Sequence, residues 1–393
     1  MGKIEIDHTV SGSGITLSSD GTSLLLDGTA IGGGGDPDLF AENYDGTSTL
    51  PSATGTNAVV IGKGSSAAGT EAIAMVDGTA DSQDSFAVGG IVQSAIGGYA
   101  IGKSAQVYSQ YGLALGKSSL VTAATDGTAV GASSVAGANS AVAFTKSRAS
   151  GADSLAGAIA NNSTSYGASG ANSIAGGNYN KATATGSLCW GGDSNVAQSG
   201  AKSAVVGGWL NNCSGAYSFI SGGRGNKITS GSYSRAGGLQ ADVNGTGIDT
   251  WSSGRFSSDG DAQTSKRVLI ASTTDATATV LGTQNINSLA ANQVTLPDNS
   301  AFAFHGTIVA RQQAADGTAC AAWRVEGLIR REGSASTTVL VNSATTVLDN
   351  TPNWGMALSA DTTNGCLKIQ ATGAASTNIR WVATIHTSEV TYA

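Results

Sequence analysis

The 393-residue sequence contains little proline and little charge. It has only four prolines, and charged residues make up 12% of the chain, roughly half the share of an ordinary globular protein. So few prolines, without a Gly-X-Y period, exclude a collagen-like triple helix. The hydrophobic share of 40% argues against an intrinsically disordered chain, which combines low hydropathy with high charge.

Large side chains and cysteines are also scarce. Aromatic residues make up 6% of the chain, too few to fill a thick single core at ordinary packing density. None of the four cysteines has a C-x-x-C neighbour, which disfavours zinc and redox motifs. We expect buried, reduced thiols, because free cysteine packs as a small hydrophobic residue; they are Cys189, Cys213, Cys320 and Cys366. The sequence therefore predicts neither a metal site nor a cofactor.

Long apolar and long charged runs are both absent. No stretch of 18 apolar residues occurs, and residues 1–10 lack the apolar segment of a signal peptide. We therefore expect synthesis in a cytoplasm and no membrane insertion. Twenty basic and 27 acidic residues give a net charge of −7 without a run of either sign, so nucleic acid, with its long phosphate backbone, is not an expected partner.

Glycine is the residue in excess, with 56 copies, about twice ordinary usage. Much of it belongs to a five-residue pattern of small, apolar, small, apolar and glycine, as in Ser85–Gly89. The pattern starts thirteen times, at spacings of 13 to 19 residues, at Ala58, Ala72, Ser85, Gly98, Gly112, Gly127, Ser140, Ser154, Ser173, Ser187, Ser203, Ser218 and Ser234. The clearest copies end in Gly62, Gly89, Gly102, Gly116, Gly131, Gly207 and Gly222.

Each repeat predicts two short strands and two turns. Alternating side chains point to opposite faces of a strand, and glycine supplies the positive φ of a tight turn. Coils of about 14 residues that stack through parallel pairing form a solenoid. The absence of proline between Ser52 and Leu296 agrees with this, since proline donates no backbone hydrogen bond. We expect larger residues such as Phe86 and Val88 to fill the interior, and alanines such as Ala87 to face outward.

An outward alanine stripe would leave a long, mildly apolar surface exposed in a monomer. Self-association covers such a stripe, and a parallel trimer closes it symmetrically. We therefore predict a homotrimer. A monomeric solenoid with a solvated alanine face is the alternative.

The repeats, seen best in Asn57–Gly69 and Gly98–Ala105, resemble the head repeats of trimeric autotransporter adhesins. The resemblance covers roughly residues 57–241 and implies an all-β, left-handed parallel β-roll in a trimer. The signal peptide, coiled-coil stalk and membrane anchor of those adhesins are not visible, whereas the same repeats occur in bacteriophage tail fibres with a compact distal β domain. The resemblance thus implies a virion tail fibre assembled in the host cytoplasm; a bacterial surface adhesin fragment is the alternative.

The two ends of the chain differ from the repeats. Residues 1–31 contain short alternating runs (Lys3–Ile6, Ile15–Leu17 and Ser23–Leu26), which predict a β segment that attaches to baseplate or tail proteins; a simple cap for the solenoid is the alternative. Residues 32–56 predict a glycine-rich linker and residues 242–266 a neck, with Trp251 and Phe256 as anchors between domains.

Residues 267–393 predict an antiparallel β-sandwich or jelly-roll tip domain, because ordinary strand patterns replace the repeats. The expected strands are Arg267–Ala271, Ala276–Leu281, Gln293–Leu296, Ala301–Arg311, Ala319–Arg331, Ser336–Val341, Gly355–Ser359, Leu367–Ala371 and Asn378–His386. We expect Phe304, Trp323 and Trp381 to lie in the core of this domain.

No enzyme active site is predicted. The three histidines are far apart in sequence, and no nucleophile elbow, His-Glu-x-x-His motif or phosphate loop occurs. A polysaccharide depolymerase needs paired carboxylates at a cleft, whereas the acids of the repeats lie mostly in turn contexts. We therefore expect a binding protein, with a depolymerase as the less favoured alternative.

The expected receptor site lies in loops of the tip domain. Aromatic rings stack on sugars, and amide or carboxylate groups bond their hydroxyls. The segment 349–354 contains Asn350, Asn353 and Trp354, and the segment 361–364 contains Asp361 and Asn364. We predict that these residues bind a host surface glycan or protein. For Trp354, a core position between strands is the alternative.

Overall fold

The computed structural model describes residues 49–122, 125–157, 165–285, 292–314 and 319–392, and the backbone of three short strands near the N-terminus. The chain divides into two compact units, residues 1–118 and 119–393, which are described separately. The fold is all-β, and the described strands are accompanied by short 3-10 turns at Thr283–Asn285 and Ala335–Thr337.

The first unit begins with an antiparallel meander. Strand β1 (Leu17–Ser19) pairs with β2 (Leu24–Leu26), and β2 pairs with β3 (Thr29–Ala30). The predicted run Ser23–Leu26 corresponds to β2. The predicted strand Lys3–Ile6 and most of the predicted linker lie outside the described residues, so attachment to tail proteins stays a prediction.

The rest of the first unit consists of two columns of short parallel strands. One column contains β4 (Ser52–Ala53), β6 (Ser66–Ala67), β8 (Thr79–Ala80), β10 (Ile91–Val92) and β12 (Gln106–Val107). The other contains β5 (Val59–Ile61), β7 (Ile73–Met75), β9 (Phe86–Val88), β11 (Tyr99–Ile101) and β13 (Leu113–Leu115). Each strand pairs in parallel with the next of its column. Because the chain alternates between the columns, it forms a solenoid.

The second unit starts with the same arrangement. One column contains β14 (Leu120–Val121), β16 (Val135–Ala136), β18 (Arg148–Ala149), β20 (Gly167–Ala168), β22 (Lys181–Ala182), β24 (Val196–Ala197), β26 (Asn212–Cys213), β28 (Lys227–Ser230) and β30 (Asp242–Asn244). The other contains β15 (Thr128–Val130), β17 (Val142–Phe144), β19 (Leu155–Gly157), β21 (Ile174–Asn178), β23 (Leu188–Asp193), β25 (Ala204–Val206), β27 (Phe219–Ile220), β29 (Arg235–Leu239) and β31 (Ile248–Ser253). Neighbouring strands of each column pair in parallel.

The predicted repeats match these strands. The two units together contain about 14 turns of parallel β-solenoid, and each of the thirteen predicted starts lies immediately before, or one residue further ahead of, a strand. Strands β30 and β31 continue the parallel pairing beyond residue 241, so part of the expected neck is a further solenoid coil.

Alanine fills the interior of the coils, and our expectation that the larger residues point inward is wrong. Ala87, Ala100 and Ala129 are completely buried, whereas Tyr99 is 48% exposed. The facing column also contributes small buried residues such as Ala80. The interior of most coils therefore takes small side chains, with valine or isoleucine inward in some coils, as at Ile220, whereas the large residues that flank the inward alanines point outward.

The seven predicted repeat glycines all have positive φ, between 62° and 127°. Some are also required by close approach between coils. At Gly102, an added Cβ would lie 2.8 Å from the carbonyl oxygen of Gly116. Glycine is needed there both for the turn and for the contact with the next coil.

Buried asparagines join successive coils of the second unit. The side-chain Oδ1 of each accepts a backbone N–H one coil further on, at 2.9 to 3.0 Å. The four residues are Asn180, Asn195, Asn211 and Asn226, all completely buried. This ladder gives hydrogen-bond partners to backbone N–H groups of the turns, which would otherwise be buried and unpaired.

The C-terminal part of the second unit consists of antiparallel sheets. The larger sheet adds to β31 the strands β32 (Ala262–Thr273), β35 (Ser300–Gln312), β36 (Cys320–Arg331), β37 (Val339–Asp349) and β40 (Ile379–Thr391). Its order is β31-β32-β40-β35-β36-β37. In the smaller sheet, the strands β33 (Ala278–Val280), β34 (Val294–Thr295) and β38 (Gly355–Asp361) each pair with β39 (Cys366–Thr372). All nine predicted strands correspond to these elements, which confirms an antiparallel C-terminal region.

The two antiparallel sheets share one hydrophobic core. Phe304, Trp323 and Trp381 of the larger sheet belong to the same buried cluster as Leu367 and Ile369 of the smaller one. The predicted core positions of Phe304, Trp323 and Trp381 are therefore confirmed. Three cysteines are buried as expected, whereas Cys320 at the start of β36 is exposed, so the expectation of burial is wrong for that residue.

Candidate functional site

The first predicted receptor loop, residues 349–354, is closed by its own hydrogen bonds. The Nδ2 of Asn350 donates to the Trp354 carbonyl at 2.8 Å, and the Trp354 N–H donates to Oδ1 of Asn350 at 2.9 Å. Asn353 occupies the turn with a φ of 57°. Trp354 is only 5% exposed and its ring lies 5.9 Å from that of Trp381. Trp354 is thus a core residue, as the alternative interpretation of the sequence predicted. It presents no open ring face for a sugar.

The second predicted loop is organised around a carboxylate. Oδ1 of Asp361 accepts the backbone N–H groups of Thr363 and Asn364, both at 3.0 Å, and Oδ2 accepts Nδ2 of Asn364 at 2.8 Å and Nε2 of Gln293 at 3.1 Å. Burial by itself raises the pKa of Asp361, but these hydrogen bonds outweigh it, and the net pKa is lowered. The carboxylate therefore holds the turn together.

The structure does not bring the two predicted loops together. They stand at opposite ends of β38, which is seven residues long, and such a strand spans about 20 Å. A role of Asn350, Asn353, Asp361 and Asn364 in receptor binding stays a prediction.

The exposed indole rings lie on the solenoid. Trp190, Trp209 and Trp251 are all exposed, with Trp251 the most so at 59%. Trp209 is covered by the guanidinium of Arg224, whose central carbon lies 4.3 Å from the ring. Trp251 occupies β31, the last strand of its solenoid column, and lines an open cleft.

This cleft is our candidate functional site. It has a volume of about 360 Å³ and is lined by residues of β29, β31, β32 and β40 and by Ser221, which follows β27. The chemically distinctive lining residues are Ser221, Arg235, Asp249, Trp251, Lys266 and His386. Of the residues predicted from sequence, only Trp251 belongs to this site, and it was expected to be an anchor between domains.

Strand register assembles the charged part of the site. Arg235 pairs with Asp249, Asp249 with Lys266, Lys266 with His386, and His386 with His305. Residues directly opposite one another in a sheet point to the same face. The five side chains therefore form one row across five strands, although the chain separates Arg235 from His386 by most of the C-terminal region.

Two contacts stiffen this row. Nε and Nη2 of Arg235 donate to the two carboxylate oxygens of Asp249 at 2.8 and 2.6 Å, a bidentate pair. The hydrogen bonds and attraction of Asp249 raise the pKa of Arg235. The rings of His305 and His386 stack 5.2 Å apart at an interplanar angle of 7°.

Trp251 is held over a glycine. Gly237 is its register partner, and an added Cβ there would lie 2.9 Å from Cε3 of the indole. Trp190 lies over Gly176 in the same way, with the corresponding distance 2.6 Å. A Gly-Gly pair one coil before a tryptophan is visible in the sequence at both places. That spacing is the signal that could have identified both rings as outward-facing.

Other kinds of site are absent from the part of the chain that the structure describes. No described helix is long and apolar enough to span a membrane. Within the same residues, no group of three or more His, Cys, Asp or Glu side chains is placed to hold a metal ion.

Comparisons with known proteins give only a distant structural match. No family model and no curated protein matches the sequence. The tailspike protein gp49 of the Acinetobacter baumannii bacteriophage Fri1, a capsular polysaccharide depolymerase, aligns at 12% identity and a TM-score of 0.23, over 81% of this chain and 59% of that chain. The tailspike of Acinetobacter phage vB_ApiP_P1 aligns at 8% identity and a TM-score of 0.16, over 88% of this chain and 80% of that one.

The chain thus spans 59% of the length of the first tailspike. The fold is a β-solenoid with distant structural similarity to phage tailspike proteins.

Proposed function

We propose that this chain is a homotrimeric, receptor-binding tail fibre or tailspike-like protein of a bacteriophage. It is carried on the virion, joins tail proteins through its N-terminal segment, and attaches to a host surface glycan through its C-terminal half without degrading it. Two finer features belong to the proposal: a left-handed roll, which follows the resemblance of the repeats, and a β-sandwich tip, which follows the strand pattern of residues 267–393.

The observation that carries the proposal is the apolar outward face of the solenoid strands. In the first unit, the outward positions of the column formed by β5, β7, β9, β11 and β13 hold no charged residue. Tyr99 and Leu115 at these positions are 48% and 41% exposed. Apolar stripes of this length on a protein surface mark interaction sites.

In the matching column of the second unit, β15 to β27, the outward positions are also largely apolar, and Asp193 at the end of β23 is the charged residue of these strands. The exposed outward residues of this column include Phe144, Ile174, Trp190, Val206 and Phe219. A face that recurs in every coil is suited to packing against copies of itself, and a cyclic trimer covers it without open ends. The outward residues are larger than the alanines first expected there, which strengthens the case for self-association.

The cleft favours binding over hydrolysis. Asp249 is its only carboxylate, and both of its oxygens are engaged by Arg235. Most glycoside hydrolases need two carboxyl groups that flank the scissile bond. A single, paired carboxylate is instead suited to orienting a ligand.

Two measurements on the full chain test the proposal. Light scattering should give three times the chain mass of 38.7 kDa, and a mass of one chain would overturn the trimer. Fluorescently labelled protein should attach to at least one strain in a panel of encapsulated bacteria and lose attachment when the capsule is removed. A polysaccharide that steadily shortens in the presence of the protein would overturn the assignment as a binder without hydrolytic activity.

A further inference from the structure

The Trp251 cleft combines an exposed ring with cationic side chains. We propose that it binds a carboxylate-bearing pyranose, such as a uronic acid residue of a surface polysaccharide. The inference rests on the proposed function, because it names the class of sugar that the protein recognises and assigns its site to the last solenoid coil instead of the loops of the tip.

The indole of Trp251 is a preorganised surface on which a sugar ring can stack. One side of the ring lies over the backbone of Gly237, where even a methyl group would collide with it, while 59% of the residue remains exposed. A large, flat ring that is already held loses little conformational entropy on binding. The apolar face of a pyranose is the ligand surface that matches such a ring in size and shape.

The charges of the cleft select an anion. Arg235 and Lys266 are cationic and Asp249 is the single carboxylate, so the cleft is positive within a chain of net charge −7. Asp249 holds Arg235 in place through both oxygens and has Lys266 as its register neighbour on the other side. Because Asp249 already pairs with Arg235 and separates it from Lys266 in the row, Lys266 is the cation placed for a ligand carboxylate.

Hydroxyl groups border the stacking surface. Thr264 is the register partner of Trp251 on β32, and Ser221 lines the same cleft. The Thr264 hydroxyl donates to the Thr387 carbonyl at 2.7 Å and can still accept from a sugar hydroxyl, whereas that of Ser221 can donate or accept. A few polar groups around an aromatic surface are the usual means by which a site fixes ligand orientation.

The cleft begins where the face suited to self-association ends. The outward residue of β27 is Phe219, and the corresponding positions on β29 and β31 are Arg235 and Asp249. Placing like charges of identical copies side by side is unfavourable. We therefore expect the copies to pack through the apolar part of the face and to leave the cleft open to a ligand.

The first test uses the full-length protein on an array of oligosaccharides that contain glucuronate, galacturonate or N-acetylneuraminate, each with its carboxyl-reduced form. At least one acidic oligosaccharide should bind, and its reduced form should bind at least about tenfold more weakly. Failure of every acidic oligosaccharide to bind, or equal binding of the reduced form, would overturn the inference.

The second test uses variants with the best acidic oligosaccharide in calorimetry. Trp251→Ala and Lys266→Ala should each weaken binding about tenfold, and Trp251→Phe should restore most of it. Trp209→Ala is the matched control, because Trp209 is also exposed but lies outside the cleft. Equal weakening by the control, or none by Trp251→Ala, contradicts the assignment.

Two further outcomes separate this inference from the proposed function. If wild type and Trp251→Ala attach equally well to bacteria, the inference fails and the proposed function stands. If wild type attaches to no strain, the proposed function fails, while the array still decides the chemistry of the cleft. A fall in light-scattering mass for Trp251→Ala would identify the cleft as a subunit contact and overturn the inference.

Discussion

Trp251 lies over Gly237, its partner on the neighbouring parallel strand, and a Cβ at Gly237 would come within 2.9 Å of the indole. The position of the most exposed tryptophan in the solenoid thus depends on the missing side chain of a residue one coil earlier. This relationship can be tested by changing the glycine and leaving the ring itself intact.

Gly237→Ala should displace the indole and weaken binding of the acidic oligosaccharide by about tenfold. The expected change in melting temperature is small, because the exposed ring can tilt toward solvent. Calorimetry and tryptophan fluorescence measure the two effects. Gly333→Ala is the control, since an added Cβ there meets no atom within 4 Å; equal effects of the two substitutions contradict the role assigned to Gly237.

Leu115→Lys should dissociate the assembly. Leu115 points outward from β13 and is 41% exposed in the single chain, so the substitution costs the isolated chain little but introduces a charge into the apolar face. Light scattering should show a fall toward the mass of one chain. Gln106→Lys, at an outward, half-buried position of the other column, should leave the mass unchanged, and an intact oligomer in Leu115→Lys would contradict self-association through this face.

The course of the solenoid could be predicted because the sequence of each coil contains all the local signals that define it. The turn glycine, the strand and the spacing recur together, as in Ser85–Gly89, and none depends on distant parts of the chain. The inward face could not be predicted in the same way. Alternation defines two faces, but only the narrow gap between columns decides that Ala87 rather than Phe86 points inward.

The candidate site depends on long-range pairing, which limits what local sequence can indicate. Trp354 stands among amides and beside a proline, a context typical of an exposed loop, yet contact with Trp381 places it in the core. The cleft around Trp251 requires β32 to pair with β40 in a register that sets Lys266 opposite His386. No local pattern contains that register. The Gly-Gly pair at Gly237 does indicate where the Trp251 indole lies.

Asn211→Ala should be strongly destabilising. Oδ1 of Asn211 accepts the backbone N–H of Asn226 at 3.0 Å, and its Nδ2 donates to the Gly223 carbonyl at 3.0 Å. Removing the side chain leaves both groups buried without these partners, at a cost of about 3 kcal/mol in unfolding free energy. Urea denaturation measures this cost.

The control for this substitution is Asn139→Ala. The Asn139 side chain is exposed and accepts one weak hydrogen bond, from Thr125 at 3.3 Å, so the expected loss is below about 0.5 kcal/mol. If both variants lose the same free energy, the buried ladder does not have the role that its geometry indicates.

Thiol reactivity should distinguish Cys320 from the other three cysteines. None of the four forms a disulfide, and only Cys320 is exposed. A native sample at pH 8 should therefore react rapidly with one equivalent of a thiol reagent and with four after denaturation. Cys320→Ser should abolish the rapid reaction, and a second rapid equivalent would contradict the burial of Cys189, Cys213 or Cys366.

The same buried thiols should make the protein sensitive to alkali. Burial raises the pKa of Cys189 to about 12 and that of Cys213 to about 11, from an ordinary value of 9.0. Because the folded-state values are higher, the stabilisation is complete below pH 9 and is lost as the pH rises toward 11 and 12. For Cys189 the loss by pH 11 amounts to about 3 kcal/mol.

Melting temperatures between pH 7 and 11 should therefore fall more steeply for wild type than for Cys189→Ala. Other groups also titrate in this range, but they are common to both proteins, so the difference between the two curves isolates the thiol. Cys320→Ala is the control and should follow the wild-type slope, because Cys320 is exposed. Parallel curves for wild type and Cys189→Ala would show that this thiol ionises equally easily in the folded and unfolded chains, contrary to its complete burial inside the coil.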